Sequence, residues 1–280
     1  MIRSKKILLT IFLLVFISGC SRPVLFKETR TLMSTFCEIS CYHIDQDIVL
    51  NAMDNAFNEI KRLENIFNKY DKESEISKVN KLMLGEKLKI SPELFEVIEE
   101  SIYYSELSEG SFDVTTTAFG YKNIFLNKEE RTVSFLSEGI EIDLGGIAKG
   151  YVVDKVKEIL ISNSIDNALI NIGGNIYALG SPPGKDAWQI GVRDPHDKDN
   201  IIETFYLKDR AISTSGNYER GLHIIDPIKG WFKEEAMSVS IIASSAQAAD
   251  VLSTAVFVKG KDEGMAMIGA IKGVEVYIYD

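Results

Sequence analysis

The chain has 280 residues and is 45% apolar, enough to bury a substantial core, and its length stands at the upper end of the range for one domain. With 31 Lys and Arg against 41 Asp and Glu, its formal net charge is −10, which argues against nucleic acid as a partner. No internal repeat or low-complexity tract interrupts it.

At the N-terminus Arg3, Lys5 and Lys6 precede an apolar run from Ile7 to Ile17, followed by Ser18, Gly19 and Cys20. A run this short reads as a secretory signal rather than a spanning helix. Its ending, Ile-Ser-Gly-Cys, resembles a bacterial lipobox, so residues 1–19 are expected to be removed and Cys20 to become the acylated first residue of an extracytoplasmic, membrane-anchored lipoprotein. The alternative is an ordinary signal peptide cleaved nearby, with Cys20 incidental. Loss of residues 1–19 leaves 261 residues and takes 31 basic side chains to 28 against 41 acidic ones, a net charge of −13.

Next comes a strand near residues 30–40, within whose run Thr35 to Tyr42 the cysteines Cys37 and Cys41 lie about 13 Å apart, too far for a local disulfide. They read as small core residues. A helix follows from about Gln46 to Asn68, with Val49, Ala52, Met53, Ala56, Ile60, Leu63 and Phe67 at helical spacing. After a strand at 87–90, Ser91 as N-cap and Pro92 at the first helical position start a helix running toward Gly110. A strand at 132–135 leads to the Gly145-Gly146 turn and a helix that buries Tyr151, Val152, Val156, Ile159 and Leu160. Strands at 168–172, 188–192, 201–207 and 239–243 precede a helix over 245–259 ended by Gly260, a shorter helix at 263–271 and a last strand at 274–279. Residues 171–175 (NIGGN) and 213–217 (STSGN) read as turns first and ligand contacts second, and residues 181–185 and 194–200 as surface loops. The pattern predicts an α+β protein with mixed β-sheets and flanking helices over residues 20–280, as one domain or two intertwined lobes.

The chemistry concentrates in two places. Asp143 to Gly150 reads DLGGIAKG: an acidic residue entering a glycine turn, then a lysine in the first turn of a helix, suited to close approach of phosphate oxygens. About a hundred residues later Asp250 and Thr254 stand four apart on a helix, so their oxygens point the same way. Hard oxygen ligands of this kind suit Mg²⁺ bound with substrate phosphates, which predicts chemistry on a nucleotide pyrophosphate. Each element has a plainer reading. Asp250 and Thr254 serve equally as polar residues on an amphipathic helix, Lys149 as a solvated helix residue, and Tyr70 and Phe112 as core aromatics rather than stacking partners of a flavin or adenine ring.

The order and spacing of TRTLMSTF, KYDKESEISKVN, GSFDVT, DLGGIAKGYVVD, INIGGNIYALG, WQIGVRDP, AISTSGNYE, HIIDP and AADVLSTA resemble the ApbE family of FAD:protein FMN transferases, nearly end to end. The resemblance implies a T-fold-like architecture and an enzyme that binds FAD with its pyrophosphate against Mg²⁺. Such an enzyme passes the FMN moiety to a threonine hydroxyl of a partner, a membrane redox subunit of the ion-pumping kind, and releases AMP. Carried over by position, Met33, Tyr70, Ser111, Phe112, Asp113, Asp143, Lys149 and Ile224 match FAD contacts. The carbonyl of Gly146, with Asp250 and Thr254, matches metal ligands. Among the three histidines only His223 sits in a matched segment, and it is read as the general base, against the alternative of a histidine bonded at a strand end. Ser34-Thr35 and Val114 depart from the family pattern on the flavin side. Two other activities fit the same residues: an FAD pyrophosphatase giving FMN and AMP, and a non-catalytic flavin-binding lipoprotein.

Overall fold

A long antiparallel sheet organises the chain, and the site is built where its central strands meet two helices. The computed structural model describes residues 22–115, 117–197, 199–217, 224–232 and 238–279; two residues singled out above, Cys20 and His223, lie outside the described residues. The first half contains β1 (Val24–Leu32), β2 (Thr35–His43), α1 (Gln46–Phe67), α2 (Glu75–Val79), β3 (Lys87–Lys89), α3 (Pro92–Leu107), β4 (Ile124–Asn127) and β5 (Thr132–Phe135). Then follow α4 (Ala148–Ser162), β6 (Ala168–Ile172), β7 (Asn175–Leu179), β8 (Trp188–Arg193), β9 (Ile201–Leu207) and β10 (Arg210–Gly216). The remainder is β11 (Ile225–Asp226), β12 (Trp231–Phe232), β13 (Ser238–Ala243), α5 (Ala246–Lys259), α6 (Lys261–Gly269) and β14 (Glu275–Tyr279).

The main sheet has the order β1-β2-β6-β7-β10-β13-β14, with smaller sheets β3-β5-β4, β8-β9 and β11-β12. This is the α+β class expected, and every pairing among the described strands is antiparallel. Alternation along the strands divides the core in two. Ile39, Ile170, Tyr177, Ala211 and Ile241 belong to the large cluster shared with α1, α4 and α5, whereas Ile212 and Ile242, with Leu169 and Ile176 beside them, join Trp188, Ile190, Val192, Phe205 and Leu207 of the β8-β9 hairpin in a second cluster. The central strands are therefore covered on both faces.

Helix α1 starts where Asp45 accepts hydrogen bonds from the backbone N–H groups of Asp47 and Ile48, and it buries all seven apolar residues that its spacing marked. Helix α3 starts at the Ser91 cap with Pro92 first, as expected. Cys37 and Cys41 are unpaired by disulfide and fully buried, and burial pushes both thiols up to about 11. They are inert core residues at neutral pH.

Three sequence readings need correction. The single strand expected over 30–40 is two strands joined at Met33 and Ser34, whose φ angles of 52° and 57° are those of a tight hairpin turn built without Asn or Gly. Strand β7 was not foreseen, although the glycine turn before it was: Gly173 and Gly174 hold φ of 56° and 91°. Residues 213–216, read as part of a turn, lie in β10 between β7 and β13, where their small hydroxyls bond to neighbours instead of bending the chain.

Candidate active site

The site starts from Asp143. Its backbone N–H donates to the Val114 carbonyl at 2.7 Å, its Oδ1 accepts from the N–H of Gly145 at 2.9 Å, and its Oδ2 meets Lys69 Nζ at 2.8 Å. One carboxylate thus shapes the glycine turn and ties it to the loop that carries Tyr70. Burial, the largest single influence, would lower the Lys69 ammonium, but the hydrogen bond and charge of Asp143, with the charges of Tyr70 and Glu141, together raise it above the ordinary lysine value. At Gly146 a Cβ would stand 3.0 Å from the Phe112 ring and 3.9 Å from Thr254 Oγ1, so the backbone passes close to both. Helix α4 then begins without a side-chain cap, its first turn facing the site.

The second half is brought up by α5. Gly150 lets the helices approach: a Cβ there would lie 2.4 Å from the Ala246 carbonyl oxygen and 2.7 Å from Gln247 Cα. Asp154 fixes the contact one turn on, accepting the α5 amides of Ala246 and Gln247 at 3.1 and 3.0 Å. As a result Asp250, 5% exposed, reaches across and accepts the Gly150 N–H at 3.0 Å, while Lys149 Nζ stands 3.4 Å from the same Oδ2 and 3.1 Å from the Gly145 carbonyl oxygen. The spatial convergence expected from sequence is present.

Below them runs a chain of hydroxyls. Thr254 Oγ1 is 3.4 Å from Ser215 Oγ, Ser215 is 2.8 Å from Ser253, Ser253 is 3.4 Å from Ser213, and Ser213 donates to Asn175 Oδ1 at 2.6 Å. These groups satisfy one another in a buried setting, which holds the α5 face against β7 and β10.

Both halves open on a cavity of about 900 Å³. Of the residues selected from sequence, Ser111, Phe112, Asp113, Asp143, Gly146, Lys149, Asp250 and Thr254 line it, with Tyr70 and Ile224 also on the lining. Met33 is not brought to this surface: it holds the β1-β2 turn, its N–H donating to Glu64 Oε1 at 2.8 Å, and its neighbours Thr35 and Phe36 line the cavity instead. The two aromatics separate, since Phe112 is 4% exposed in the core and Tyr70 is 85% exposed at the cavity edge. Arg193, which was not singled out, also lines the cavity, as do Asn175, Ser213 and Ser215, whose segments were read as turns first and ligand contacts second. Arg193 carried a usable signal as the cation of the WQIGVRDP segment.

The lining suits a polar aromatic dinucleotide. Burial raises Asp113 above the usual carboxylate range, an effect that hydrogen bonds from Thr115 and from the backbone of Tyr121 and Gly120 oppose. No group of three His, Cys, Asp or Glu side chains gathers among the described residues. A metal here would use one carboxylate, Asp250, with the Thr254 hydroxyl and the Gly146 carbonyl, a hard oxygen set that leaves positions for water and phosphate and so fits Mg²⁺.

The sequence pattern of the ApbE family matches residues 33–120 and 116–278. The chain belongs to the ApbE family. Among ApbE relatives, the FAD:protein FMN transferase of Treponema pallidum is 25% identical over 92% of this chain and 85% of its own length. That of Vibrio cholerae is 29% identical over 92% and 88%. The solved flavin transferase ApbE from Vibrio cholerae superposes with a TM-score of 0.82 at 25% identity, covering 91% of this chain and 93% of that one. The ApbE protein of Thermotoga maritima gives 0.81 at 27%, covering 91% and 94%.

Proposed function

We propose that this chain is an FAD:protein FMN transferase that works with Mg²⁺, moves the FMN moiety of FAD to a threonine hydroxyl of a partner protein and releases AMP. The observation that carries the reading is the meeting of Asp250 with Lys149 and the Gly145-Gly146 turn on the wall of one cavity. The relatives named FAD:protein FMN transferase, matched over about nine-tenths of the chain, support the same activity.

Asp250, Thr254 and the Gly146 carbonyl would hold the metal. Mg²⁺, when bound, supplies positive charge against the diphosphate and the departing AMP. Lys149, anchored on Asp250 and Gly145, adds a second cation whose position is set before FAD arrives. Asp113, on the cavity lining, accepts an N–H of a bound ring, and the exposed Tyr70 covers a ring by stacking. In the transfer the threonine oxygen forms a bond to the flavin-side phosphorus, the anhydride P–O bond to AMP breaks, and the hydroxyl proton passes to a base. His223, adjacent in the chain to the cavity-lining Ile224, is our choice for that base on sequence grounds. Acylation of Cys20 would place the enzyme outside the cytoplasm at a membrane, beside an acceptor that is a membrane redox subunit.

The test is incubation with FAD, Mg²⁺ and a threonine-bearing acceptor, followed by denaturing separation and in-gel flavin fluorescence. Covalent fluorescence with stoichiometric AMP is expected. Free FMN and AMP with an unlabelled acceptor would make the chain a hydrolase, and FAD that stays bound and intact would make it a carrier.

A further inference from the structure

The hairpin β11-β12 exposes Ile225 and Ile228 at 50%, Trp231 at 64% and Phe232 at 45%. Ile225, Pro227 and Gly230 of the same hairpin line the cavity, so this apolar surface begins at the cavity wall. Single exposed apolar residues need no explanation; four of them on one short hairpin beside a ligand cavity mark an interaction surface. The hairpin is held in shape from within. Asp226, 4% exposed, accepts the backbone N–H groups of Ile228 and Lys229 at 3.0 and 3.1 Å, and its carbonyl accepts that of Gly230 at 2.8 Å. The apolar side chains are thus presented on a tight, internally bonded turn.

We propose that this hairpin is the docking surface for the acceptor protein, gripping an apolar stretch of that protein next to its reacting hydroxyl. The inference rests on the transfer reading, which makes a polypeptide the second substrate: a chain whose hydroxyl reaches the diphosphate must cross the cavity edge, and here the hairpin is both wall and edge. Charge favours this occupant over a lipid surface. Lys229, the one cation among the hairpin's described residues, stands 3.3 Å from Asp226 Oδ2, and the whole chain carries −10, a balance that does not favour anionic headgroups. Exposed Trp and Phe beside a pocket are the side chains from which binding energy at protein interfaces is usually drawn.

The experiment uses the full chain, with detergent-solubilised membrane protein from the source cells titrated as acceptor and covalent flavin read in gels. Trp231→Ser combined with Phe232→Ser is expected to raise the acceptor concentration for half-maximal labelling by at least about tenfold. FAD half-saturation and the slow release of FMN to water should stay within twofold of the wild type, and Trp231→Phe alone should keep the wild-type acceptor dependence. An unchanged acceptor dependence overturns the proposal. So does parallel loss of FAD cleavage, which would make the hairpin a support of the cavity, as does unchanged labelling with lost binding to phosphatidylcholine–phosphatidylglycerol vesicles, which would make it a membrane contact. If the wild type labels no protein while cleaving FAD, the transfer reading itself fails.

Discussion

The backbone N–H of Gly150 donates to Asp250 Oδ2 at 3.0 Å, joining two residues a hundred positions apart. Around this bond the glycine turn, the ammonium of Lys149 and the start of α5 are held together, and the account of function depends on it.

Replacing Gly150 with Ala puts a methyl group 2.4 Å from the Ala246 carbonyl oxygen. Backbone on both sides prevents easy relief, so the helices must separate. Gly150→Ala is expected to cost about 1–3 kcal/mol in denaturant unfolding and to weaken FAD cleavage through displacement of Asp250. Wild-type stability and turnover together would refute the close approach.

Asp154 caps the α5 amides of Ala246 and Gln247. Asp154→Ala should lower stability by about 1 kcal/mol, a fall of roughly 2–4 °C in Tm for a chain of this size. Because α5 carries Asp250, the Mg²⁺ concentration for half-maximal FAD cleavage should rise in the same variant. Thermal melts and a Mg²⁺ titration check the two effects separately.

Lys69 is held by Asp143, and its raised pKa sets the sign of a pH effect. A raised lysine contributes stability that is fully present below the ordinary value of 10.5 and is lost as pH rises through the higher folded value. The stability difference between wild type and Lys69→Met should therefore stay level from about pH 6 to 9 and shrink only above about 10.5. Lys69→Met should also raise FAD half-saturation, and Lys69→Arg should recover most of it. A difference that vanishes by pH 8 would show that the ion pair is not what stabilises the turn.

Tyr70 is 85% exposed, so its ring contributes little to the fold. Tyr70→Ala should leave stability within about 0.5 kcal/mol while raising FAD half-saturation roughly two- to tenfold, the range of one aromatic contact. Equal FAD binding by both proteins would remove the stacking role.

The helices and the metal side of the cavity were legible in the sequence for physical reasons. Val49 to Phe67 repeat at helical spacing because one face of α1 packs on the core, and Asp143-Leu-Gly-Gly combines two residue types that few other turns require. The hairpin at Met33-Ser34 was hidden because neither residue signals positive φ. Strand β10 was hidden for a different reason. It lies between two strands with both faces covered, so its Ser and Thr residues are tolerated only because Asn175, Ser240 and Ser253 bond them, a long-range fact that no local pattern encodes. Ser213 and Ser215 line the cavity, as the second reading of their segment had it, and the turn at Met33 explains why Thr35 and Phe36, rather than Met33, face the cavity.

The central claim is that Asp250 and Thr254 hold a divalent cation against the FAD diphosphate beside the glycine turn. The most direct measurement is AMP release from FAD across a Mg²⁺ titration, with an EDTA control, for the wild type, Asp250→Asn and Thr254→Val. Saturable Mg²⁺ dependence in the wild type is expected, with turnover lost in Asp250→Asn and the titration midpoint shifted upward in Thr254→Val, both variants remaining folded by circular dichroism. Full AMP release in EDTA, or an Asp250→Asn titration that overlays the wild type, would contradict the claim.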